Sequence, residues 1–256
     1  MEKTIGIFDS SVGGLSLLPT MTRLLPHEDF YYLADEAYSP YGEKPENFLL
    51  ERSIQITQHL LSQNCKLIVV ACNTATTQVI EQLRDRFSIP FIGIEPAIKP
   101  AAQHSKANKI GVLATRGTLN SELFRNNLSK NTQNVEVLTQ VGKGLVKKVE
   151  EGNLNNSKAK ELLTAYLTPM IDQGIDQLVL GCTHYPFLRP MIEEIVPPSI
   201  KVVDNSEAVA LQVQHQLRNN KSLNQNLKAG KISYYTTLKN SNLKHFTTKK
   251  ITHLRL

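Results

Sequence analysis

Two short stretches, LIVVACNTATT (Leu67–Thr77) and QLVLGCTHYP (Gln177–Pro186), decide the fold that the sequence predicts. Each is a continuous apolar run that ends on a cysteine, Cys72 in the first and Cys182 in the second, before small polar residues. Such runs are typical of strands that are buried on both faces of a parallel sheet, and the polar residues after them are suited to begin a helix. The chain is therefore expected to build the same strand–cysteine–helix unit twice.

Strand-like apolar segments alternate with longer helical segments along most of the chain. The strand-like segments are TIGIFD, DFYYLAD, KLIVVAC, PFIGIE, KIGVLAT, VEVLTQ, QLVLGC and IKVVD, and helices are predicted over residues 47–63, 75–86, 121–130, 158–173 and 190–195. This alternation predicts an α/β protein with parallel sheets.

The order of the segments repeats. IGIFDS begins at Ile5 and IGVLAT at Ile110, an offset of 105 residues, and Cys72 and Cys182 are 110 residues apart. The segments IGIE and VVDN are also 110 residues apart. A near-constant offset predicts two similar parallel-sheet α/β domains, related by duplication, that face each other across an active-site cleft.

The same landmarks suggest where the two domains divide. We expect residues 1–97 plus 206–256 to form the lobe that carries Cys72, with the final segment returning to pack on it. Residues 98–205 are expected to form the lobe that carries Cys182.

The position of the two cysteines indicates a chemistry. Ligands of open α/β sheets bind at the carboxyl ends of the strands, so Cys72 and Cys182 are expected to enter one cleft from opposite sides. A helix N-terminus favours the thiolate, so each thiol is expected to have a pKa below its usual value of about 8.5. Inversion of a carbon centre by proton transfer requires a base on one face and an acid on the other, and two opposed thiols can supply both. Cys65, which precedes its strand, is interpreted as a buried structural residue.

The composition is that of an ordinary globular protein, 41% hydrophobic and 20% charged. No apolar run approaches the roughly 18–20 residues of a membrane span, and the N-terminal MEKTIGIFDS has no basic-then-apolar leader. The three cysteines have no spacing typical of zinc binding and cannot all pair within the chain. We therefore expect a cytoplasmic protein with free thiols and no membrane partner.

The net charge of +6 is unevenly distributed. The last 49 residues hold nine basic and no acidic residues, whereas the first 207 hold 20 basic and 23 acidic residues. A basic segment can bind nucleic acid, but these lysines are scattered among Asn, Ser and Thr without a recognition-helix pattern. The pattern favours a solvated basic surface over nucleic acid as the primary partner.

At these residues the chain resembles the glutamate racemases of the cofactor-independent aspartate/glutamate racemase superfamily. The resemblance covers nearly the whole chain. Its motifs are IGIFDSSVGGLSLL, LADEAYSPYGEK, VVACNTATT, GVLATRGTLNS and LVLGCTHYPFL, which occur in the order typical of the family.

The resemblance implies racemisation of glutamate without pyridoxal phosphate, any other cofactor or a metal. By match to ACNTA, Cys72 is implied to exchange a proton with D-glutamate, and by match to GCTH, Cys182 with L-glutamate. Asp9 and His184 are implied to assist the two proton transfers. The implied substrate-binding residues are Asp9, Ser10, Tyr41, Gly42, Asn73, Thr74, Thr183 and His184.

These residue types suit an amino-acid substrate. Asn73, Thr74 and Thr183 can donate hydrogen bonds to an α-carboxylate, as can helix N-termini. Asp9 can accept from the α-ammonium, and the SPYG turn that holds Tyr41 can offer backbone N–H groups to the second carboxylate.

The sequence departs from the family pattern in two places. Ser11 stands where the family has glycine, and a serine would be strained there if the backbone needed a positive φ. The stretch QVGKGLVKKVEEG carries Gly142, Lys143 and Gly144 where the family has a Cys-Pro pair and apolar residues. Glu150, at the end of this stretch, matches an acidic position near the family's active site.

Three alternatives remain open. A racemase of aspartate or another acidic amino acid is the nearest, because substrate length is read by the geometry of the cleft. A cysteine hydrolase needs one nucleophile with a dedicated base, which a second matched cysteine does not favour. A nucleotide- or nucleic-acid-binding module would rest on SVGG and the basic tail, but SVGG lacks the spacing of a phosphate-binding loop.

The resemblance also carries biological implications. It implies a bacterial enzyme that supplies D-glutamate for peptidoglycan synthesis and assembles as a homodimer.

Overall fold

A computed structural model describes residues 3–226 and 228–256. Residues 1, 2 and 227, which fall within the ranges predicted for the first lobe, lie outside the described residues. The strands of the described chain, β1 to β10, are Thr4–Asp9, Phe30–Ala34, Cys65–Val70, Phe91–Gly93, Lys109–Ala114, Glu136–Val141, Gln177–Gly181, Lys201–Val203, Ile232–Thr236 and Ile251–His253. The α-helices, α1 to α10, are Leu18–Leu24, Glu46–Ser62, Asn73–Arg86, Ile98–His104, Arg116–Asn120, Glu122–Asn131, Leu145–Glu150, Ser157–Asp172, Arg189–Ile195 and Ser206–Asn219.

The strands form two sheets in which every described pair is parallel. One sheet has the order β10-β9-β2-β1-β3-β4 and the other has the order β6-β5-β7-β8. The order β2-β1-β3-β4 in the first sheet recurs as β6-β5-β7-β8 in the second, so the repeat seen in the sequence is a repeat of topology. The predicted fold, two similar parallel-sheet α/β sets, is confirmed. The proposed domain boundaries stay a prediction.

Strand β3 shows why its sequence is continuously apolar. Leu67 and Val69 point into one hydrophobic cluster, and Ile68 and Val70 point into another on the opposite face of the sheet. All four side chains are 0% exposed. A strand covered on both faces has no solvent side, so it lacks the alternation of polar and apolar residues.

The predicted helices begin and end within two residues of helices α2, α3, α6, α8 and α9. The sequence pattern did not predict α1, α4, α5 and α7, which have only five to seven residues each. It also did not predict α10, although its buried side chains, Val209, Ala210, Val213 and Leu217, have helical spacing that could have revealed it. Among the described residues, no helix is both long and apolar enough to span a bilayer.

The end of the chain extends the first sheet. Strand β9 pairs with β2 in parallel register, from Phe30 opposite Ile232 to Ala34 opposite Thr236. The buried Glu36 holds this segment in place, since its carboxylate accepts from the Thr236 hydroxyl at 2.5 Å and from the Asn242 backbone N–H at 2.8 Å. The last residues therefore contribute two strands to the sheet that contains β3.

A buried ion pair anchors the segment that follows β2. The Arg52 Nε and Nη2 atoms donate to the two carboxylate oxygens of Asp35 at 2.8 and 2.7 Å, and the Tyr41 hydroxyl donates to Asp35 Oδ2 at 2.6 Å. The Arg52 and Asp35 side chains are 4% and 0% exposed. A two-pronged pair that is removed from water fixes both partners. It joins α2 to the segment that carries Tyr41.

We expect Arg52→Met to lower the free energy of unfolding by about 3–5 kcal/mol, because it leaves the buried Asp35 carboxylate without its cationic partner. The matched control is Arg23→Met, which breaks the Arg23–Glu207 pair, whose side chains are 60% and 70% exposed. Its cost is expected to stay within about 1 kcal/mol. Urea unfolding at neutral pH measures both. Equal, small losses would contradict a stabilising role of the buried pair.

Candidate active site

A cleft of about 1160 Å³ is lined by residues that follow strands of both sheets. Cys72 follows β3 and Cys182 follows β7, which are equivalent strands of the two sheets, and both cysteines line the cleft. The predicted residues Ser10, Tyr41, Gly42, Asn73, Thr74, Thr183 and His184 also line it. The structure therefore brings the residues of the predicted site together. Asp9 is the one that does not line the cleft, and it is hydrogen-bonded to Ser10 and Thr183, which do.

Cys72 is the residue that precedes α3, with the backbone N–H of Ala75 close to its sulfur. Its Sγ lies 3.9 Å from the Ser10 hydroxyl, and the residue is 5% exposed. Burial and the charge of Asp9 raise the pKa of the Cys72 thiol above its usual range, against the smaller effect of the Ala75 N–H. The prediction that the helix N-terminus lowers this pKa is wrong, because removal from water outweighs the helix.

Asp9, at the end of β1, is 0% exposed. Its Oδ1 accepts from the Ser10 backbone N–H at 2.7 Å, and its Oδ2 accepts from the Gly14 N–H at 2.5 Å and the Thr183 hydroxyl at 3.3 Å. Burial raises the pKa of Asp9 to about 6, although His184 and the hydrogen bonds oppose that rise. Both carboxylate oxygens accept hydrogen bonds from the protein, and Asp9 does not line the cleft. The carboxylate lies beside Thr183 and the Cys72 thiol.

His184 lies beside Cys182, with 3.8 Å between the Cys182 Sγ and the imidazole Nδ1. Its Nε2 lies 3.6 Å from Glu150 Oε1, slightly beyond direct hydrogen-bond distance. Burial opposes the charge of the imidazolium, but Cys182, Glu150 and Asp9 together raise the pKa of His184 to about 10. At neutral pH the buried imidazole is therefore protonated.

Glu150 belongs to the site, as its match to an acidic family position suggested. It lies at the end of α7, lines the cleft, and accepts a hydrogen bond from the Ser39 hydroxyl at 2.7 Å. Burial alone would raise the pKa of Glu150, but His184 and Ser39 lower it below its usual range. Ser39 was not predicted as a site residue, because its partner Glu150 is 111 positions away in the sequence.

The helix expected directly after Cys182 is shorter than the one after Cys72. A 3-10 turn over Tyr185–Leu188 intervenes before the seven-residue α9, whereas the 14-residue α3 begins immediately after Cys72. The two thiols therefore occupy equivalent strand ends but different electrostatic surroundings. Cys72 lies against a carboxylate and a long helix, and Cys182 lies against an imidazolium.

Gly13 explains the SVGG motif. A Cβ at Gly13 would lie 2.4 Å from the Thr183 Oγ1, 2.5 Å from the His184 Nδ1 and 2.7 Å from the Asp9 Oδ2. No side chain fits between these three groups, so the glycine lets the loop after β1 close on the residues after β7. The motif serves this close approach of the two sheets.

The amide of Asn73 is buried beside the cleft. Its Nδ2 donates to the Ile94 carbonyl at 3.1 Å, while its Oδ1, in a residue that is 2% exposed, has no hydrogen-bond partner among the described residues. Thr74 is partnered across the cleft, with 2.9 Å between its hydroxyl and that of Thr115. Thr115 lies in the motif GVLATRGTLNS, but its role in the cleft was not predicted.

Both departures from the family pattern are accommodated. The non-glycine residues with positive φ among those described are Asn64, Asn108 and Lys221, so Ser11 is not strained. The altered stretch ends β6 and begins α7. A Cβ at Gly142 would lie 2.3 Å from the Tyr185 hydroxyl, and Gly144 has a φ of +82°. The two glycines thus allow the turn that directs Glu150 into the cleft.

Across residues 3–226 and 228–256, no group of three or more His, Cys, Asp or Glu side chains is arranged to hold a metal ion.

Comparison with known proteins gives one consistent family. The family model described as Asp/Glu/Hydantoin racemase matches residues 26–213. The glutamate racemase of Ectopseudomonas mendocina (strain ymp) is 46% identical over 217 residues, which cover 84% of this chain and 82% of that protein.

Solved structures agree. A glutamate racemase isoform from Bacillus anthracis superposes with a TM-score of 0.89 at 28% identity, over 99% of this chain and 98% of that one. The Escherichia coli glutamate racemase, solved with L-glutamate and an activator, gives a TM-score of 0.85 at 29% identity, over 96% of this chain and 92% of that one. The chain belongs to the Asp/Glu/Hydantoin racemase family.

Proposed function

We propose that this protein is a glutamate racemase, which interconverts L- and D-glutamate by proton transfer at the α-carbon between two thiols. The observation that carries the proposal is that Cys72 and Cys182, at equivalent strand ends of the two sheets, line one cleft. The solved relative with bound L-glutamate and the related sequences support glutamate as the substrate. One thiol removes the α-proton, and the other delivers a proton to the opposite face.

Cys72 acts on D-glutamate, with Asp9 as its partner. The raised pKa of the Cys72 thiol means that the thiol is the resting form. The buried Asp9 carboxylate, whose pKa is about 6, is ionised at neutral pH and can accept the thiol proton as the α-proton is attacked. Asp9 thereby assists the reaction through Cys72.

Cys182 acts on L-glutamate, with His184 as its partner. The protonated imidazole lies 3.8 Å from the Cys182 sulfur, so its positive charge stands beside the atom that exchanges the α-proton. When the reaction runs from D- to L-glutamate, the same imidazolium keeps a proton available to Cys182. Glu150 and Ser39 hold the imidazole in its charged form from the side away from the thiol.

The cleft offers groups that can orient the substrate. The N-terminal turn of α3 and the Thr74 hydroxyl suit the α-carboxylate, whereas the Thr183 hydroxyl already donates to Asp9. The Tyr41 hydroxyl is bound to Asp35, so the segment of Tyr41 and Gly42 would contribute backbone N–H groups to the γ-carboxylate.

Glutamate and aspartate are separated by one methylene, and the family description includes both. We propose glutamate as the preferred substrate. Rates of α-proton exchange in D2O with each amino acid decide between them: faster exchange with aspartate would keep the mechanism and change the substrate. The proposal extends to a cytoplasmic enzyme that supplies D-glutamate for peptidoglycan synthesis. The homodimer stays a prediction, which the mass in solution would test.

Cys72→Ala and Cys182→Ala are each expected to lower the rate of racemisation at least about 10³-fold, because each variant lacks a proton donor on one face of the α-carbon. Cys65→Ala is the matched control. Cys65 lies at the start of β3, outside the cleft, and its loss is expected to change the rate less than about twofold. Loss of optical rotation and of the α-proton signal in D2O measures the reaction. A similar loss in all three variants would contradict the assignment.

For D-glutamate, kcat/KM is expected to fall as the pH drops below about 6, because Asp9 then binds a proton and can no longer accept one from Cys72. Below this value the decrease should approach about tenfold per pH unit. Asp9→Asn is expected to be slower and to lack this acidic limb. A pH–rate profile of both proteins measures it. An unchanged limb near pH 6 in the variant would show that another group titrates there.

Glu150→Gln is expected to move the alkaline limb of kcat/KM to lower pH. The Glu150 carboxylate supports the imidazolium of His184, whose pKa is about 10, so its removal lets the imidazole lose its proton earlier. The matched control is Glu151→Gln, which removes the next acid, a partner of Lys148 on the protein surface. Titration of the substrate ammonium is common to all variants. Identical alkaline limbs in the two variants would exclude Glu150 as a positioning residue for His184.

A further inference from the structure

The entrance of the cleft is lined by four cationic side chains that the two-thiol reaction does not use. Lys44 lies in the connection from β2 to α2, Arg116 begins α5, and Lys143 and Lys147 belong to the stretch around α7. Arg116, Lys143 and Lys147 are exposed, and Lys44 is half-buried. Because they come from both sheets, positive charge lies on both sides of the entrance.

These cations are not neutralised by neighbouring acids. Within the described chain, none of the four takes part in an ion pair, whereas the adjacent Lys148 is paired with Glu151 at 2.8 Å. Two acids line the same cleft. The negative charge of Glu150 is balanced by the protonated His184. The exposed Glu43 is then the remaining negative charge beside the four cations.

The cleft is also much larger than one amino acid requires. Its volume of about 1160 Å³ exceeds the roughly 300–1,000 Å³ of pockets that hold drug-sized ligands. The reacting groups occupy the inner part, where Cys72, Cys182 and His184 are 5%, 6% and 2% exposed. Three of the four cations are exposed and the reacting groups are buried, so the cations lie toward the outer part of the cleft.

We propose that Lys44, Arg116, Lys143 and Lys147 form an anion-collecting entrance that draws carboxylate substrates into the cleft. The inference rests on the proposed function and adds a binding step to it. Glutamate carries two carboxylates and one ammonium at neutral pH, so its net charge is negative. A cleft lined by one sign of charge concentrates the opposite sign and speeds association, by an amount that falls as salt screens the field.

The test compares two charge-neutralised double variants. Lys143→Gln/Lys147→Gln removes two charges from the entrance. Lys249→Gln/Lys250→Gln removes two exposed charges that do not line the cleft, so both proteins change in net charge by the same amount. At about 20 mM salt, the entrance variant is expected to lose about threefold to tenfold in kcat/KM for either enantiomer, with kcat within about twofold of the parent. The control is expected to retain both values.

The dependence of kcat/KM on salt distinguishes electrostatic attraction of the substrate at the entrance from direct binding of the substrate by a lysine. The deficit of the entrance variant is expected to shrink below about twofold at 0.5 M salt, where the screening length is only a few ångströms. Equal kcat/KM for the two double variants at low salt would overturn the inference. A deficit that persists undiminished at high salt would also overturn it, because a lysine would then bind the substrate directly.

Glutarate provides a second probe that does not depend on turnover. It has the two carboxylates of glutamate without the ammonium, so its charge is larger and its binding should depend on salt about twice as steeply. Calorimetry with the parent and both double variants measures this. If the parent did not racemise glutamate, the proposed function would fail, while steep, entrance-dependent salt sensitivity of glutarate binding would still support the inference. Salt-independent glutarate binding would overturn it.

Discussion

Closing two sheets over two thiols removes water from the groups that must carry charge during proton transfer. Burial raises the pKa of Cys72, and it would equally oppose charge on His184 and Asp9. The protein offsets this with fixed neighbours: backbone N–H groups hold Asp9, and Glu150 with Cys182 supports the imidazolium of His184. Such preorganised groups stabilise charge without rearranging when the reaction occurs. The chemistry thus depends on how closely the two sheets approach.

The two sheets are alike in topology, but the two halves of the site are not. The shared strand order places both thiols at equivalent positions, which opposes them across the cleft. The residues that surround them differ: a carboxylate faces Cys72, and an imidazolium faces Cys182. In the proposed mechanism this difference has a use, because one thiol hands its proton to a base while the other is held beside an acid. The repeated topology places the two thiols opposite each other, and the residues around each thiol give it a different role in proton transfer.

The parts of this arrangement that could be predicted from the sequence are those with a local cause. The continuous apolar runs predicted buried parallel strands. The near-constant offset between matching segments, such as those of Cys72 and Cys182, predicted two similar parallel-sheet domains. The raised pKa of Cys72 could not be predicted, because it arises from burial in the folded protein and from the charge of Asp9, which is far from Cys72 in sequence. The same holds for the contact between Ser39 and Glu150, which are far apart in sequence. Strand β9 was missed because its sequence, ISYYT, is partly polar and is not a continuous apolar run.

Helix α7 shows how one short element can serve two parts of the cleft. Gly142 packs against Tyr185 and Gly144 adopts a positive φ, so the position of the helix is set before its first turn. Lys147 and Glu150 are three residues apart and therefore lie on the same face, toward the cleft. Glu150 lies deep enough to support His184, while Lys147 remains exposed at the entrance. The stretch that departs most from the family pattern thus keeps the inner acid and adds charge outside it, so it can alter substrate capture without altering the proton-transfer groups.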